Sequence, residues 1–398
     1  MTSSDSGAGR RLPTDRRPVP SASGPTAPSG LGAADYRGLS LDVGRKSFTA
    51  DAVVQLIGRL GELGFTALHL HLTETHRVGV RLPGFEELAA DDAWGTEDVA
   101  QIVAAAEAAG IALLPEIDLP SHAAALLVGR EHLQLVDRHG HVHEDRLDIS
   151  RPEALELALD LMEAVAGLFP GDAIHLGGDE FFAAPWEDED AQNPERFPSL
   201  LAHARSLVGP AATALDSYAL FVNTLAARAI ELGRTPLLWN DHVVPASDEP
   251  LAPISTDVVL DVWIRWRDWT PSVEDYLRSG YRVINSHGDQ LYAVLSEDGP
   301  FAPHGARRFG LLTDTFSPRR FMGLAAEDVH LEVPAVSAGT PDPVLGASLS
   351  VWCDAPDVMG ERELLERLDT WIVPFARIMA ATGLAESSEA WNDGRSTD

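Results

Sequence analysis

After residue 33 the chain alternates short apolar runs with longer stretches in which apolar residues recur at helical spacing. The runs are Leu39 to Val43, Ala67 to Leu72, Ala112 to Ile117, Ala173 to Leu176, Pro236 to Trp239, Val258 to Trp263, Arg282 to Asn285 and Gly346 to Trp352. Between them lie helical patterns at Asp51 to Leu63, Thr96 to Ala109, Pro152 to Leu168, Ala214 to Leu232 and Glu361 to Met379. A short apolar run followed by a helical pattern is the signature of a βα unit on a parallel sheet. Gly64 and Gly110 stand just past helices, and Thr96 before Glu97 and Asp98 places an N-cap and negative charge at a helix start. Eight such units predict an α/β fold, a (β/α)8 TIM barrel over residues 34–381, whose reactive groups gather at the C-terminal ends of the strands. Ala183 to Pro210, rich in acid, Pro and small residues, reads as an inserted loop after the fourth strand.

Composition narrows the function classes. Of 398 residues 45% are hydrophobic, enough for one large core. The charge balance is 30 basic against 61 acidic residues, a net of −31. Such a surface repels phosphate backbones and anionic lipid heads, so neither nucleic acid nor membrane is an expected partner. Cys353 is the single cysteine, which excludes an intramolecular disulfide and a Cys-rich zinc site. Residues 1–33 read as a disordered leader and 382–398 as a loose tail. The arginine pairs Arg10-Arg11 and Arg16-Arg17 are not followed by the apolar stretch an export signal needs, so the expected location is cytoplasmic.

The fourth run, Ala173 to Leu176, leads into Gly177-Gly178-Asp179-Glu180, which puts adjacent carboxylates after a glycine pair at a barrel rim. Like charges in a cleft push a carboxyl pKa upward, and a carboxyl that keeps its proton near neutrality can serve as a general acid. A second chemistry is also open: His69-x-His71 sets imidazoles on one face of a strand, and His139, His141 and His143 follow soon after, spacings that a metal-dependent hydrolase could use. A non-catalytic sugar-binding barrel is a third.

His175-Leu-Gly-Gly-Asp-Glu180 resembles the central motif of family-20 glycoside hydrolases, the β-N-acetylhexosaminidases. Other segments resemble that family in the same order: Arg37-Gly-Leu-Ser-Leu-Asp42-Val-Gly-Arg45, His69-Leu-His71-Leu, Pro115-Glu116-Ile-Asp118-Leu-Pro-Ser-His122 and Leu147-Asp148-Ile-Ser150. The resemblance spans roughly Tyr36 to Met379 and implies a single-barrel form without the α/β domain that usually precedes it. It implies a retaining hydrolysis in which the sugar's own 2-acetamido oxygen attacks the anomeric carbon. Glu180 would then be the general acid and later the base, Asp179 would hold the acetamido N–H, and Tyr292 would donate to the acetamido oxygen. The implied partner is an oligosaccharide or glycoconjugate ending in N-acetylhexosamine, with no cofactor and no metal. Trp239, Trp263 and Trp352, each closing a strand, would cage the sugar. Trp266 and Trp269 would form an outer platform. Arg37, with Asp354 as partner, would grip the sugar hydroxyls, and His122, Glu74 and Asp118 would tune the proton on Glu180.

The chain departs from the family pattern in sugar recognition. Glu74-Thr75-His76-Arg77-Val78 replaces the usual Asp-Asp-Gln-Gly-Trp, Val294 stands for an aspartate in Tyr292-Ala293-Val294, and Asp354 stands for a glutamate in Trp352-Cys353-Asp354. The altered acceptors imply looser discrimination between sugar epimers.

Overall fold

The computed structural model describes Leu31 and residues 35–182, 193–244, 252–265, 270–296, 299–300, 315–324, 330–337 and 340–382. The expected leader and tail lie outside these residues apart from Leu31 and Thr382, as do Trp266 and Trp269.

Each apolar run becomes a strand: β1 (Tyr36–Asp42), β2 (Ala67–His71), β3 (Ala112–Glu116), β4 (Ala173–His175), β5 (Thr235–Trp239), β6 (Val259–Val262), β7 (Arg282–Asn285) and β8 (Val344–Trp352). They pair parallel in chain order, and β8 returns to β1 with Tyr36 opposite Gly346 and Leu41 opposite Val351, which closes an eight-strand barrel. The helices are α1 (Ala50–Glu62), α2 (Thr96–Ala109), α3 (Pro152–Leu168), α4 (Pro198–Leu207), α5 (Ala214–Glu231), α6 (Val273–Arg278) and α7 (Glu361–Ala381). Their boundaries have local causes. The Thr49 hydroxyl accepts the Ala52 N–H at 3.3 Å, Pro152 opens α3, and Gly110 ends α2 in the left-handed region at φ 69°.

Two expectations are corrected and one element is added. The cap of α2 is Gly95, whose N–H donates to the Asp98 carboxylate at 2.8 Å, and Thr96 is already helical. The segment read as a loop from Ala183 to Pro210 contains α4, which packs on α5 through buried Leu200 and Ala204. A further strand, Tyr292–Ser296, pairs parallel with the upper part of β8, Tyr292 opposite Ser350. It fits because β7 reaches β8 only from Val344 to Ala347, which leaves the rest of that long edge unpaired.

Alternation along the strands sorts the side chains. Leu39, Leu41, Leu68 and Leu70 face outward into the core beneath the helices. Inward, one residue per strand forms an apolar plug at the N-terminal end: Tyr36, Ala67, Leu114, Ala173, Leu237, Val259, Ile284 and Leu345. Two positions further on, the same inward file carries His69, Glu116, His175, Trp239, Asp261 and Ser286, all buried. Two positions beyond these the file reaches the mouth with His71, Asp118, Asp241 and Trp263.

Barrel closure runs over six residue pairs of β8 with β1 and begins at a close backbone approach. Gly346 has φ 145°, and a Cβ there would meet the Tyr36 carbonyl oxygen, with Tyr36 C and N at 2.8 and 2.9 Å. Gly346→Ala should therefore destabilise the protein by about 2–4 kcal/mol, adding backbone strain to a steric clash. A melting temperature equal to that of the wild type would contradict this account of closure.

Candidate active site

Past β4 the chain turns through Gly177 and Gly178, at φ 75° and 97°. A Cβ on Gly178 would lie 2.5 Å from the Tyr218 hydroxyl and 2.6 Å from Leu238 Cδ1, so the turn requires glycine on both conformational and steric grounds. Neighbouring elements pin it. The Tyr218 hydroxyl donates to the Gly178 carbonyl at 2.8 Å, and the Ser121 hydroxyl donates to the Asp179 carbonyl. Asp118 accepts the Gly178 N–H and Asp241 accepts the Glu180 N–H, each at 3.2 Å. Glu180 itself is held at φ 53°, a conformation few non-glycine residues adopt. Strain kept in place by so many partners is characteristic of functional positions.

His122, also left-handed at φ 51°, joins the carboxylates. Its Nδ1 lies 2.6 Å from Glu74 Oε1, and its Nε2 lies 3.5 Å from Glu180 Oε2 and 3.6 Å from Asp179 Oδ2. Glu74 Oε1 also accepts from Arg45 Nη2 at 2.6 Å, and Arg45 Nη1 donates to Asp42 Oδ2 at 2.9 Å. The result is a continuous chain of alternating charge from β1 to the β4 turn. Burial opposes the charge on His122, but Asp179, Glu180, Glu74 and Asp118 outweigh it and raise its pKa well above the usual value. Glu74 is the mirror case: burial would raise it, yet His122 and Arg45 hold it far below the usual carboxylate range. Burial raises Asp179; His122 draws it down and the Glu180 carboxylate pushes it up again. Asp118, sealed beneath the turn, is raised by burial and then by Asp179.

Aromatic rings complete the mouth. Tyr292 stacks on Trp263 at 5.7 Å with planes 8° apart, and meets Trp352 edge-on at 5.7 Å. Trp352 lies 6.0 Å from Trp239. The three strand-closing tryptophans therefore gather in one place, though with different exposure. Trp239 is 2% exposed and forms the floor, its indole N–H donating to Glu116 at 2.7 Å. The Trp263 indole donates to Asp241 at 2.7 Å.

Arg37 is not part of this assembly. It begins β1, donates to the Gly64 carbonyl before β2 and pairs with Asp35 at 2.7 Å. Asp42 ends the same strand, about 16 Å away at roughly 3.3 Å per residue. The arginine at the mouth is Arg45, stacked 5.6 Å over the Trp352 ring, and Asp354 at the rim lies in its field and not in that of Arg37. The rule that barrel chemistry sits at strand C-termini selects Arg45 over Arg37, and it also finds Asp42 and Asp241, which motif matching left unassigned. His141 and His143 pack on each other in the excursion between β3 and β4, where His143 lies 3.5 Å from Asp137, so they do not join His69 and His71.

His69, Glu116 and His175 offer ligand atoms within 4.8 Å of one another. All are fully buried below the mouth, and Glu116 already accepts from the Trp239 indole. A metal hydrolase needs a coordination position open to substrate, which that sealed layer does not supply; the two further groups with such spacing, His71 with Glu116 and Asp118 and Glu74 with Asp118 and His122, have their members engaged in the ion pairs and hydrogen bonds of the mouth.

Residues 35–355 match the model of the glycosyl hydrolase family 20 catalytic domain. A β-N-acetylhexosaminidase of Cellulomonas fimi is 27% identical over 379 residues, 90% of this chain and 65% of that protein. β-Hexosaminidase subunit A1 of Dictyostelium discoideum is 26% identical over 258 residues, 63% of this chain and 45% of that protein. The chain thus spans about half to two thirds of the length of these curated relatives. In fold it is similar to dispersin B, with a TM-score of 0.65 at 18% identity, covering 86% of this chain and 98% of that one. It is likewise similar to β-N-acetylhexosaminidase from Bacteroides fragilis, with a TM-score of 0.63 at 21% identity, covering 91% and 71%. With the Gly-Gly-Asp-Glu turn, His122 and the closed barrel all lying within the matched span, the chain belongs to glycosyl hydrolase family 20.

Proposed function

We propose that the protein is an exo-β-N-acetylhexosaminidase that releases terminal β-linked N-acetylglucosamine or N-acetylgalactosamine with retention, through an oxazolinium intermediate. The observation that carries this reading is His122 bridging Glu74 to the Asp179–Glu180 pair on a strained turn.

Each group has a task in such a reaction. The acetamido oxygen of the substrate attacks the anomeric carbon while Glu180 gives its proton to the departing glycosidic oxygen. Asp179 accepts the acetamido N–H and stabilises the positive charge that spreads over the ring being formed. Tyr292 donates to the acetamido oxygen from the other side. Glu180 then takes a proton from the water that opens the oxazolinium, and the sugar leaves with its configuration retained. His122, held cationic by Asp179 on its Nε2 side and Glu74 on its Nδ1 side, supports the carboxylate that Glu180 becomes after giving up its proton. Arg45 takes the hydroxyl-gripping role first expected of Arg37. Asp354 beside it, one methylene shorter than the glutamate of the family pattern, together with Val294 in place of an aspartate, would loosen the discrimination between epimers.

Glu180→Gln should cut kcat/KM on an unactivated N-acetylglucosaminide by about a hundredfold to ten-thousandfold, and should harm a nitrophenyl glycoside far less, because a good leaving group needs no proton. A substrate without the 2-acetamido group should be inert, and trapping of a covalent glycosyl-enzyme would sink the mechanism.

Arg45→Ala should lower kcat/KM by about 10- to 150-fold, the loss of a charged hydrogen bond of about 1.5–3 kcal/mol. Arg37→Ala should leave kcat/KM unchanged, and the reverse ranking in steady-state kinetics would reject this placement.

The pKa of His122 is raised in the folded protein, so its contribution to stability is complete below about pH 6.5 and is lost as pH rises through the raised value. His122→Gln should therefore melt lower at neutral pH and show a flatter decline on the alkaline side. Parallel curves of melting temperature against pH for the two proteins would refute the linkage.

A further inference from the structure

TIM-barrel interiors are ordinarily filled by branched aliphatic side chains. Here the layer directly beneath the mouth carries His69, Glu116, His175 and Asp261, none with measurable exposure. Stability does not explain this choice, since a buried ion pair is often no better than well-packed hydrophobic residues of the same volume.

Glu116 is the hub. Its Oε1 accepts from the Trp239 indole at 2.7 Å and faces His175 Nδ1 at 3.1 Å. Its Oε2 faces His71 Nδ1 at 2.5 Å and His69 Nε2 at 3.0 Å. The two ligands that lead upward from it are Trp239 and His71, and both rings end on Trp352, at 6.0 and 5.2 Å. Trp352 in turn meets Tyr292. We propose that Glu116 is a positioning residue of the sugar pocket: from beneath, one carboxylate locks Trp239 and His71 and so fixes the wall of Trp352 and Tyr292 against which the 2-acetamido group is pressed.

The carboxylate is suited to this. Burial would raise its pKa, but its histidine neighbours, His71 foremost, hold it well below the usual carboxylate range. Each of its oxygens can accept from its own partner, and both ring planes are set at once. Substrate-assisted attack depends on the acetamido oxygen being held in line with the anomeric carbon, so a slack wall is felt in the chemical step more than in ground-state binding. This inference rests on the hexosaminidase reading and adds to it a residue that never touches substrate.

The test compares wild type with Glu116→Gln, which keeps an acceptor for the Trp239 indole and puts an amide N–H2 where His71 requires an acceptor. On a nitrophenyl N-acetylglucosaminide, kcat should fall by about 10- to 100-fold with KM within about threefold. Affinity for a thiazoline analogue of the cyclised sugar should fall by the same factor as kcat/KM, while inhibition by free N-acetylglucosamine stays within about threefold. His71→Phe, which keeps a ring against Trp352 but removes the Nδ1–H that Glu116 accepts, should show the same split, and it serves alone if Glu116→Gln does not fold. A variant that melts lower but keeps wild-type kcat and thiazoline affinity would make Glu116 purely structural and overturn the proposal. A wild-type protein that does not cleave the substrate would instead overturn the hexosaminidase reading itself.

Discussion

Crowding of negative charge at one end of the barrel is the constraint to which the rest of the site answers. Asp42, Glu74, Asp118, Asp179, Glu180 and Asp241 share that mouth with Arg45, His71 and His122 as cations threaded among them. Without those cations the carboxylates would have to take up protons or separate. With them, the charges alternate along a line from β1 to the β4 turn, and the groups sort into carboxyls held low, such as Glu74, and carboxyls pushed high, such as Asp118 and Asp241. Splitting acid groups in this way is how one cleft runs both halves of an acid–base reaction near neutrality.

Backbone geometry serves the same end. Gly177 and Gly178 bring the chain over the barrel rim in a conformation other residues resist, and the strained φ angles of Glu180 and His122 aim their side chains inward. The turn is anchored from α5 by Tyr218 and from the ends of β3 and β5 by Asp118 and Asp241, so its conformation is a property of the closed barrel and not of the four residues that form it. Active-site precision and barrel closure are therefore one problem. The Gly346–Tyr36 approach that lets β8 meet β1 lies at the opposite end of the barrel from the mouth, yet it sets the register from which Trp352 projects.

The interior shows how an alternating pattern is put to different uses along its length. The same inward file reads apolar at the N-terminal end, polar and buried in the middle, and reactive at the mouth. An apolar plug seals the barrel at its N-terminal end, while most of the apolar burial lies between the strands and the helices. The polar middle layer costs desolvation, and its hydrogen bonds to Trp239 and His71 tie the plug to the pocket above.

Periodicity and local turn chemistry are carried by residues near one another in sequence, so the chain by itself determined the eight strands, five of the seven described helices and the Gly-Gly-Asp-Glu turn at a strand end. Motif order along the chain was equally legible, because order survives without any knowledge of contacts. Convergence was not. Arg37 and Arg45 lie in one quoted motif, and only strand direction, with β1 running from Tyr36 to Asp42, decides that one arginine faces the pocket and the other the opposite rim. Glu116 read as one letter of a third-strand motif until the register placed His69, His71, His175 and Trp239 around it. Asp241 and the strand Tyr292–Ser296 likewise gain their meaning from partners far along the chain. Such placements follow from non-local pairing and closure, in which a single-residue slip would turn every one of these side chains to the other face.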